Sequence, residues 1–287
     1  MGATEEMTFA PYRQNGWKGW VLDEWQQLPE LADLETWLQA PQQTIVLEAP
    51  CRTVSRRETA LGAVYVKLMR GRNDGAVRNR EVFSWLKWTL LPSRGVYILK
   101  VTAAMVARGH HCPTPVLGAR CRGRWGYPRE LYVSREVTLP TLEECLVSAT
   151  GKGEQQELLA FTAERLARFH LDHFVHGDFL PRNACVDTQA GHLYFLDNDR
   201  TRHWPFLPPF QRQRRNLAQF CYNLLLQAGC YDLAMPNAFL NAYLQATPWT
   251  EKRRQAEYQR VVAHITARWQ RFGEKEAARL KRLAKQA

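Results

Sequence analysis

His176-Gly177-Asp178-Phe179-Leu180-Pro181-Arg182-Asn183, followed by Leu196-Asp197-Asn198-Asp199, is the densest group of chemistry-bearing residues in the chain. Two short strand-like runs lie between, Ala184-Cys185-Val186-Asp187 and His192-Leu193-Tyr194-Phe195-Leu196, joined by a turn-forming stretch from Thr188 to Gly191. This pattern predicts a β-hairpin. Counted from the centre of its turn, Asn183 and Asp197 fall nearly opposite each other at the open end, roughly 5 Å apart by cross-strand spacing. An amide oxygen and a carboxylate converging at a strand end suit a hard cation such as Mg²⁺, which takes few protein ligands and completes its shell with phosphate oxygens. Asp178 precedes Asn183 on the loop leading into the hairpin, well placed as a base beside that cation.

Upstream of this segment the chain is strand-rich. Thr44 to Glu48 reads as a strand, Val54 opens a second, and Ala63-Val64-Tyr65-Val66-Lys67-Leu68-Met69 is a third, rich in β-branched and aromatic residues. Gly71 to Gly75 reads as a turn. Helices are expected over 78–90 and 96–108, split by Pro92-Ser93-Arg94-Gly95. Pro113-Thr114-Pro115 then forces an extended path into Val116-Leu117-Gly118, and Leu131 to Ser134 is a further strand. Residues 1–43 are Trp- and Gln-rich and read as an N-terminal extension holding one amphipathic helix, Leu28 to Leu38, closed by Pro41. Downstream, helices are expected over 154–173, 212–228, 235–246 and 251–285. The organisation predicted is therefore an extension (1–43), a strand-rich lobe (44–134) and a helical lobe (138–287).

Composition narrows the function. The chain has 287 residues, with 45% hydrophobic and 23% charged, which excludes collagen-like and fully disordered classes. No apolar run approaches the ~18 residues of a membrane span. The N-terminus lacks a basic–apolar–small leader pattern, so a cytoplasmic protein is expected. The seven cysteines are odd in number and none is spaced as CxxC, which supports neither a disulfide framework nor a zinc knuckle. The net charge of +11 points to an anionic partner. Much of it lies in residues 251–287, where eleven Lys/Arg stand against four Glu. That stretch reads either as a solvated helix face or as an electrostatic anchor to anionic lipid. No nucleic-acid reader motif accompanies it, so nucleic acid is not expected as a partner.

The pattern HxDxxxxN with a later Asp after a hairpin resembles the catalytic and metal loops of the protein-kinase-like fold. The resemblance implies a two-lobed α+β protein with a small strand-rich N-lobe and a larger helical C-lobe. It implies Asp178 as catalytic base and Asn183 and Asp197 as Mg²⁺ ligands. Val64-Tyr65-Val66-Lys67 resembles the third-strand segment whose Lys holds the α- and β-phosphates of ATP. Arg135-Glu136-Val137 resembles the hinge, whose Glu136 and Val137 backbone groups would bind adenine. Two features depart from the pattern. Ala49-Pro50-Cys51-Arg52-Thr53 stands where a glycine-rich loop would be, leaving Arg52 or Thr53 to cover the phosphates. Asn198-Asp199 replaces Phe-Gly, and no later docking motif follows, which favours a small or lipid-linked acceptor over a protein. The acid that pairs with Lys67 would be Glu81 if helix 78–90 is the relevant one; helix 96–108 contains no acid.

Within that superfamily the chain is most similar to the lipopolysaccharide kinase (Kdo/WaaP) family. The likeness rests on HGDFLPRNACV, FLDNDRTR, Arg52-Thr53, Pro92-Ser93-Arg94 and the basic run Arg212 to Arg215 leading into Asn216-Leu217-Ala218. It implies transfer of the ATP γ-phosphoryl to an alcohol group, a heptose or Kdo hydroxyl of the lipopolysaccharide inner core, at the inner face of the bacterial cytoplasmic membrane. An aminoglycoside-type kinase and a pseudokinase scaffold are the alternatives. The first calls for an acidic pocket, and the intact Asp178, Asn183 and Asp197 oppose the second.

Overall fold

The computed structural model describes residues 7–41, 43–70, 86, 88–122, 128–206 and 210–284. The chain divides into two compact units, Met1–Thr138 and Leu139–Ala287.

The first unit is built on one antiparallel sheet. Its strands are β1 (Phe9–Gln14), β2 (Trp17–Leu22), β3 (Thr44–Ala49), β4 (Arg52–Arg57), β5 (Val64–Met69), β6 (Pro115–Cys121) and β7 (Arg129–Arg135). Their spatial order is β1-β2-β6-β7-β5-β4-β3. Alternation along β5 sets the two faces. Val64, Val66 and Leu68 join a core with Trp17, Val21, Trp25, Leu31 and Leu34. Met69 lies on the other face and packs with Tyr132, Ile98 and Leu99.

The N-terminal residues correct the expected division. Residues 9–22 are not outside the lobe: β1 pairs with β2, and β2 pairs with β6, so this hairpin extends the sheet. Its turn is Asn15-Gly16, with φ of 45° and 83°, the two left-handed residues that a tight two-residue hairpin requires. The helix expected from Leu28 to Leu38 is two short ones, α1 (Pro29–Ala32) and α2 (Leu34–Gln39). Asp33 separates them and caps α2 by accepting the Thr36 amide at 3.3 Å. Leu31 and Leu34 are both buried under the sheet.

The opposite face carries α3 (Arg94–Val106), close to the expected 96–108. Glycine sets how near it sits. A Cβ on Gly95 would lie 2.1 Å from the Leu131 carbonyl oxygen, and one on Gly118 would lie 2.5 Å from that of Gly95. The start of α3 is tied down by a buried ion pair. Arg120 Nε donates to Glu130 Oε1 at 2.5 Å. Glu130 Oε2 accepts from Ser93 Oγ at 2.6 Å and from the Gly95 amide at 3.2 Å. Arg120 also donates to the Leu91 and Pro92 carbonyls at 2.8 and 3.1 Å. The turn over 71–75, most of helix 78–90, and Glu81 with it, lie outside the described residues.

The second unit is mainly helical: α4 (Leu142–Ser148), α5 (Lys152–Leu171), α6 (Phe210–Ala228), α7 (Ala234–Gln245), α8 (Glu251–Arg268) and α9 (Glu274–Ala284), with a π turn at Trp269–Gly273 joining the last two. Two small sheets interrupt it, β8 (Phe174–Val175) with β11 (Arg202–His203), and β9 (Ala184–Asp187) with β10 (His192–Phe195). The basic C-terminal stretch docks on α6. Ala277 is buried with Tyr222 and Leu226, and Trp269 packs against them. Glu276 accepts from the Tyr222 hydroxyl at 2.8 Å, and Arg214 holds Glu257 through two hydrogen bonds of 2.9 and 3.0 Å. Leu280, by contrast, is 42% exposed. All seven cysteines are free thiols. No helix among the described residues is long and apolar enough to cross a membrane.

Candidate active site

The hairpin forms in the register expected from its turn. His192 pairs with Asp187 and Phe195 with Ala184. One step further out, the Leu196 amide donates to the Asn183 carbonyl at 2.9 Å. The Leu196 carbonyl in turn accepts from His176 Nε2 at 2.6 Å. A ring nitrogen facing a carbonyl must carry the proton, so His176 is the Nε2–H tautomer. Its complete burial holds its pKa below the usual histidine value, against the opposing pull of the Leu196 carbonyl. The imidazole is a neutral strut.

Asn183 Nδ2 donates to the Asp178 carbonyl at 2.9 Å. The amide group is thereby oriented, and its Oδ1 is the end available as a donor to a cation. His176, Asp178, Asn183 and Leu196 are thus linked by three hydrogen bonds through main-chain atoms. Asp197 follows directly, in the left-handed region at φ 52° and ψ 55°. Such a conformation costs a non-glycine residue roughly 1–2 kcal/mol, and Asp is among the few that adopt it. The next residues hold it: Asn198 Nδ2 donates to the Phe195 carbonyl at 2.9 Å, and Thr201 Oγ1 donates to Asn198 Oδ1 at 3.1 Å.

Gly177 explains why glycine stands between His176 and Asp178. Its φ is +76°, and a Cβ would lie 2.6 Å from the Arg200 carbonyl oxygen. Beneath the loop, Phe179 stacks on Phe220 with ring centroids 5.1 Å apart. Phe195 stacks on Phe169 at 4.3 Å. These rings are fully buried, so the polar loop rests on an aromatic floor joined to α5 and α6.

Gln219 on α6 completes the group. Its Nε2 donates to Asp178 Oδ1 at 2.6 Å, fixing one carboxylate oxygen. Nothing in the local sequence singles out this residue, because it reaches the loop from 41 positions away. Asn183 and Asp197 could offer two hard oxygen donors of the kind that Mg²⁺ takes. Among the described residues no group of three or more His, Cys, Asp and Glu could hold a metal.

In the first unit, Lys67 lies on β5 between Val54 and Tyr132 of the neighbouring strands. It shares the face that α3 covers, since Met69 and Tyr132 pack there. Arg52 pairs with Met69 and therefore lies on the same face, whereas Thr53 pairs with Leu68 and lies on the opposite one. The register thus puts the Arg52 and Thr53 side chains on opposite faces of the sheet, with Arg52 on the face of Lys67. The turn they flank is tight, with Ala49 paired to Arg52 across Pro50-Cys51.

Glu136 and Val137 follow β7. The Glu136 amide donates to the Ala63 carbonyl at 2.9 Å, so that donor is engaged within the sheet. The Glu136 carboxylate grips Arg56 through two bonds of 2.7 Å. Those bonds hold its pKa below the usual range. Among the described residues, the buried acid on the Lys67 face is Glu130, committed to Arg120 and Ser93. It gave no signal in the sequence, because its partners are assembled by the sheet.

No protein-family model matches the chain, and no significant match is found among curated proteins. Among solved structures it is similar to WaaP in complex with acyl carrier protein, at 18% sequence identity and a TM-score of 0.53. The match covers 85% of this chain and 92% of that one. The likeness is one of fold: the chain has a two-lobed, kinase-like α+β fold.

Proposed function

We propose that this protein is an ATP-dependent phosphotransferase acting on a sugar hydroxyl, a heptose or Kdo residue of the lipopolysaccharide inner core. The observation that carries this reading is the hydrogen-bonded loop joining Asp178, Asn183 and the Leu196-Asp197 peptide. It supports a reading in which a carboxylate base and two oxygen donors act together in a kinase-like fold.

Asp178 accepts the proton of the acceptor hydroxyl as that oxygen bonds to the γ-phosphorus of ATP and the bond from that phosphorus to the β-phosphate oxygen breaks, releasing ADP. With Oδ1 engaged by Gln219, its second oxygen takes the proton. Asn183 and Asp197 would hold Mg²⁺, which supplies charge neutralisation on the phosphates. Lys67 binds the α- and β-phosphates, and Glu81 remains its proposed partner. Arg52 covers the phosphates in place of a glycine-rich loop. The Glu136 carbonyl and the Val137 backbone bind adenine. A cytoplasmic protein peripheral to the inner membrane fits this acceptor, with the basic residues of α8 and α9 facing anionic lipid.

The test is phosphate transfer from ATP to purified core oligosaccharide, read by mass. Asp178→Ala is expected to lower the single-turnover rate by about 10²–10⁴-fold, with nucleotide affinity kept within severalfold. A variant retaining half the wild-type rate overturns the role of Asp178. A wild-type protein that binds ATP and transfers nothing to any core sugar favours a scaffold.

A further inference from the structure

A basic pocket opens beside Asp178 within the helical unit. Arg200, Arg202, Arg212 and Arg215 line it, with Asn216 and Gln219. Two segments build it. Pairing of Arg202 with Val175 lays the Arg200–Arg202 stretch along the strand that leads into the catalytic loop. On α6, residues 212, 215, 216 and 219 share one helix face.

The arrangement is organised before any ligand arrives. The Arg212 guanidinium lies 4.8 Å from the Trp204 ring centroid, and Arg202 Nη1 donates to the Thr201 carbonyl at 2.9 Å. Asn216 is buried, and its Oδ1 accepts from His170 Nε2 at 3.2 Å. The run Arg212-Gln213-Arg214-Arg215 shows how charge is handled. Arg214 lies outside the pocket and is neutralised by Glu257 at 2.9 Å. Among the described residues, no carboxylate forms an ion pair with Arg200, Arg212 or Arg215. Arg200, Arg212 and Arg215 therefore bring three guanidiniums into one pocket, with Gln219 linking it to Asp178. Like charges held together repel, and an oxyanion relieves that repulsion while offering the acceptors that guanidinium groups bind in bidentate fashion.

We propose that this pocket binds an oxyanion, a phosphate or carboxylate, carried by the acceptor close to the hydroxyl that Asp178 activates. The proposal rests on the kinase reading for the position of that hydroxyl. Gln219 touches Asp178, and Arg215 stands one helical turn before it, with Arg212 two turns before. At ~1.5 Å per residue, the anion lies about 5–10 Å from the reacting hydroxyl, on the same sugar ring or the next one. Neutral or cationic acceptors leave the pocket unfilled.

Binding of inorganic phosphate to the full chain, measured by titration calorimetry, tests this without requiring turnover. Arg200→Gln combined with Arg215→Gln is expected to weaken it about tenfold or more. Arg13→Gln with Lys18→Gln removes the same charge from the exposed N-terminal hairpin and should leave it unchanged. Glucose 6-phosphate should displace inorganic phosphate, and glucose should not. Equal losses in the two double variants, or no loss in the first, overturn the pocket. Phosphate binding that the sugar phosphate cannot displace makes it a free-phosphate site and overturns the acceptor assignment. If the kinase reading alone is wrong, phosphate still binds the arginines while no acceptor is phosphorylated. If the pocket alone is wrong, turnover persists and does not distinguish charged from neutral acceptors.

Discussion

In the helical unit, Asp178, Asn183 and Leu196 are joined by hydrogen bonds spanning no more than 20 residues of chain. In the strand-rich unit, Arg52, Lys67 and Glu136 sit on or beside three strands, and pairing with residues far away in sequence fixes their positions. The first group is specified by one turn and one loop. The second is specified by sheet register and by the helix packed above it. A local constellation survives changes elsewhere; a distributed one depends on the stability of its whole unit.

The sharpest way to break this contrast is to remove one acid from each unit. Asp178→Ala is expected to cost about 10²–10⁴-fold in rate with the melting temperature nearly unchanged. Glu130→Ala leaves the buried Arg120 without its carboxylate, and such a loss typically costs ~3–5 kcal/mol. Its melting temperature should fall steeply. A Glu130→Ala protein that melts like wild type would mean that the start of α3 is held by something other than this pair.

Acid titration probes the helical unit next. Burial pushes the His170 pKa down from 6.5 to about 4. Both of its ring nitrogens are engaged, with Tyr243 at 2.8 Å and Asn216 at 3.2 Å. Above the ordinary value both folded and unfolded states are neutral, and stability is full. As pH falls from 6.5 towards 4, the unfolded chain takes the proton first, and stability drops by an order of ~3 kcal/mol. Buried His176 acts in the same direction. Urea midpoints at pH 7 and pH 4.5 check this; His170→Gln should show a shallower decline, and an unaltered slope would refute the assignment.

A smaller and opposite effect is expected at Asp197. Asp197→Gly relieves the left-handed backbone and should raise stability by up to ~1 kcal/mol, while Mg²⁺-dependent nucleotide binding is lost. Asp199→Asn should affect that binding less. A larger loss at 199 would move the cation ligand off the hairpin end. The least effect on folding is expected from ending the chain before Arg279. Ala277 and Glu276, which hold this helix to Tyr222, remain. The melting temperature should barely change, whereas affinity for anionic vesicles falls by up to ~1 kcal/mol per lost basic residue at low salt. Ending before Trp269 removes the packed segment and should destabilise the unit clearly.

The hairpin register was readable because a turn between two short strands leaves little choice of pairing, and Asn183 and Leu196 meet as that register requires. The helices of the second unit were readable from their apolar period. Asn15-Gly16 carried an equally strong turn signal, yet residues 1–43 read as an extension because their Trp content masked the alternation around it. Gln219 and Glu130 were beyond reach for another reason. Each acts through partners that only tertiary packing assembles. Thr53 and Arg52 are neighbours in the chain, and a strand sends neighbours to opposite faces; only the observed register shows which of them shares a face with Lys67.

The link through Leu196 has a consequence for how this protein tolerates substitution. Both of its contacts, to Asn183 and to His176, use main-chain atoms. Position 196 can therefore exchange its side chain among apolar residues without disturbing the loop, yet proline, which lacks the amide hydrogen, would open it. A library of apolar residues at 196 should be permissive with that one gap. At 176 and 183, where side chains close the same circuit, it should be nearly empty.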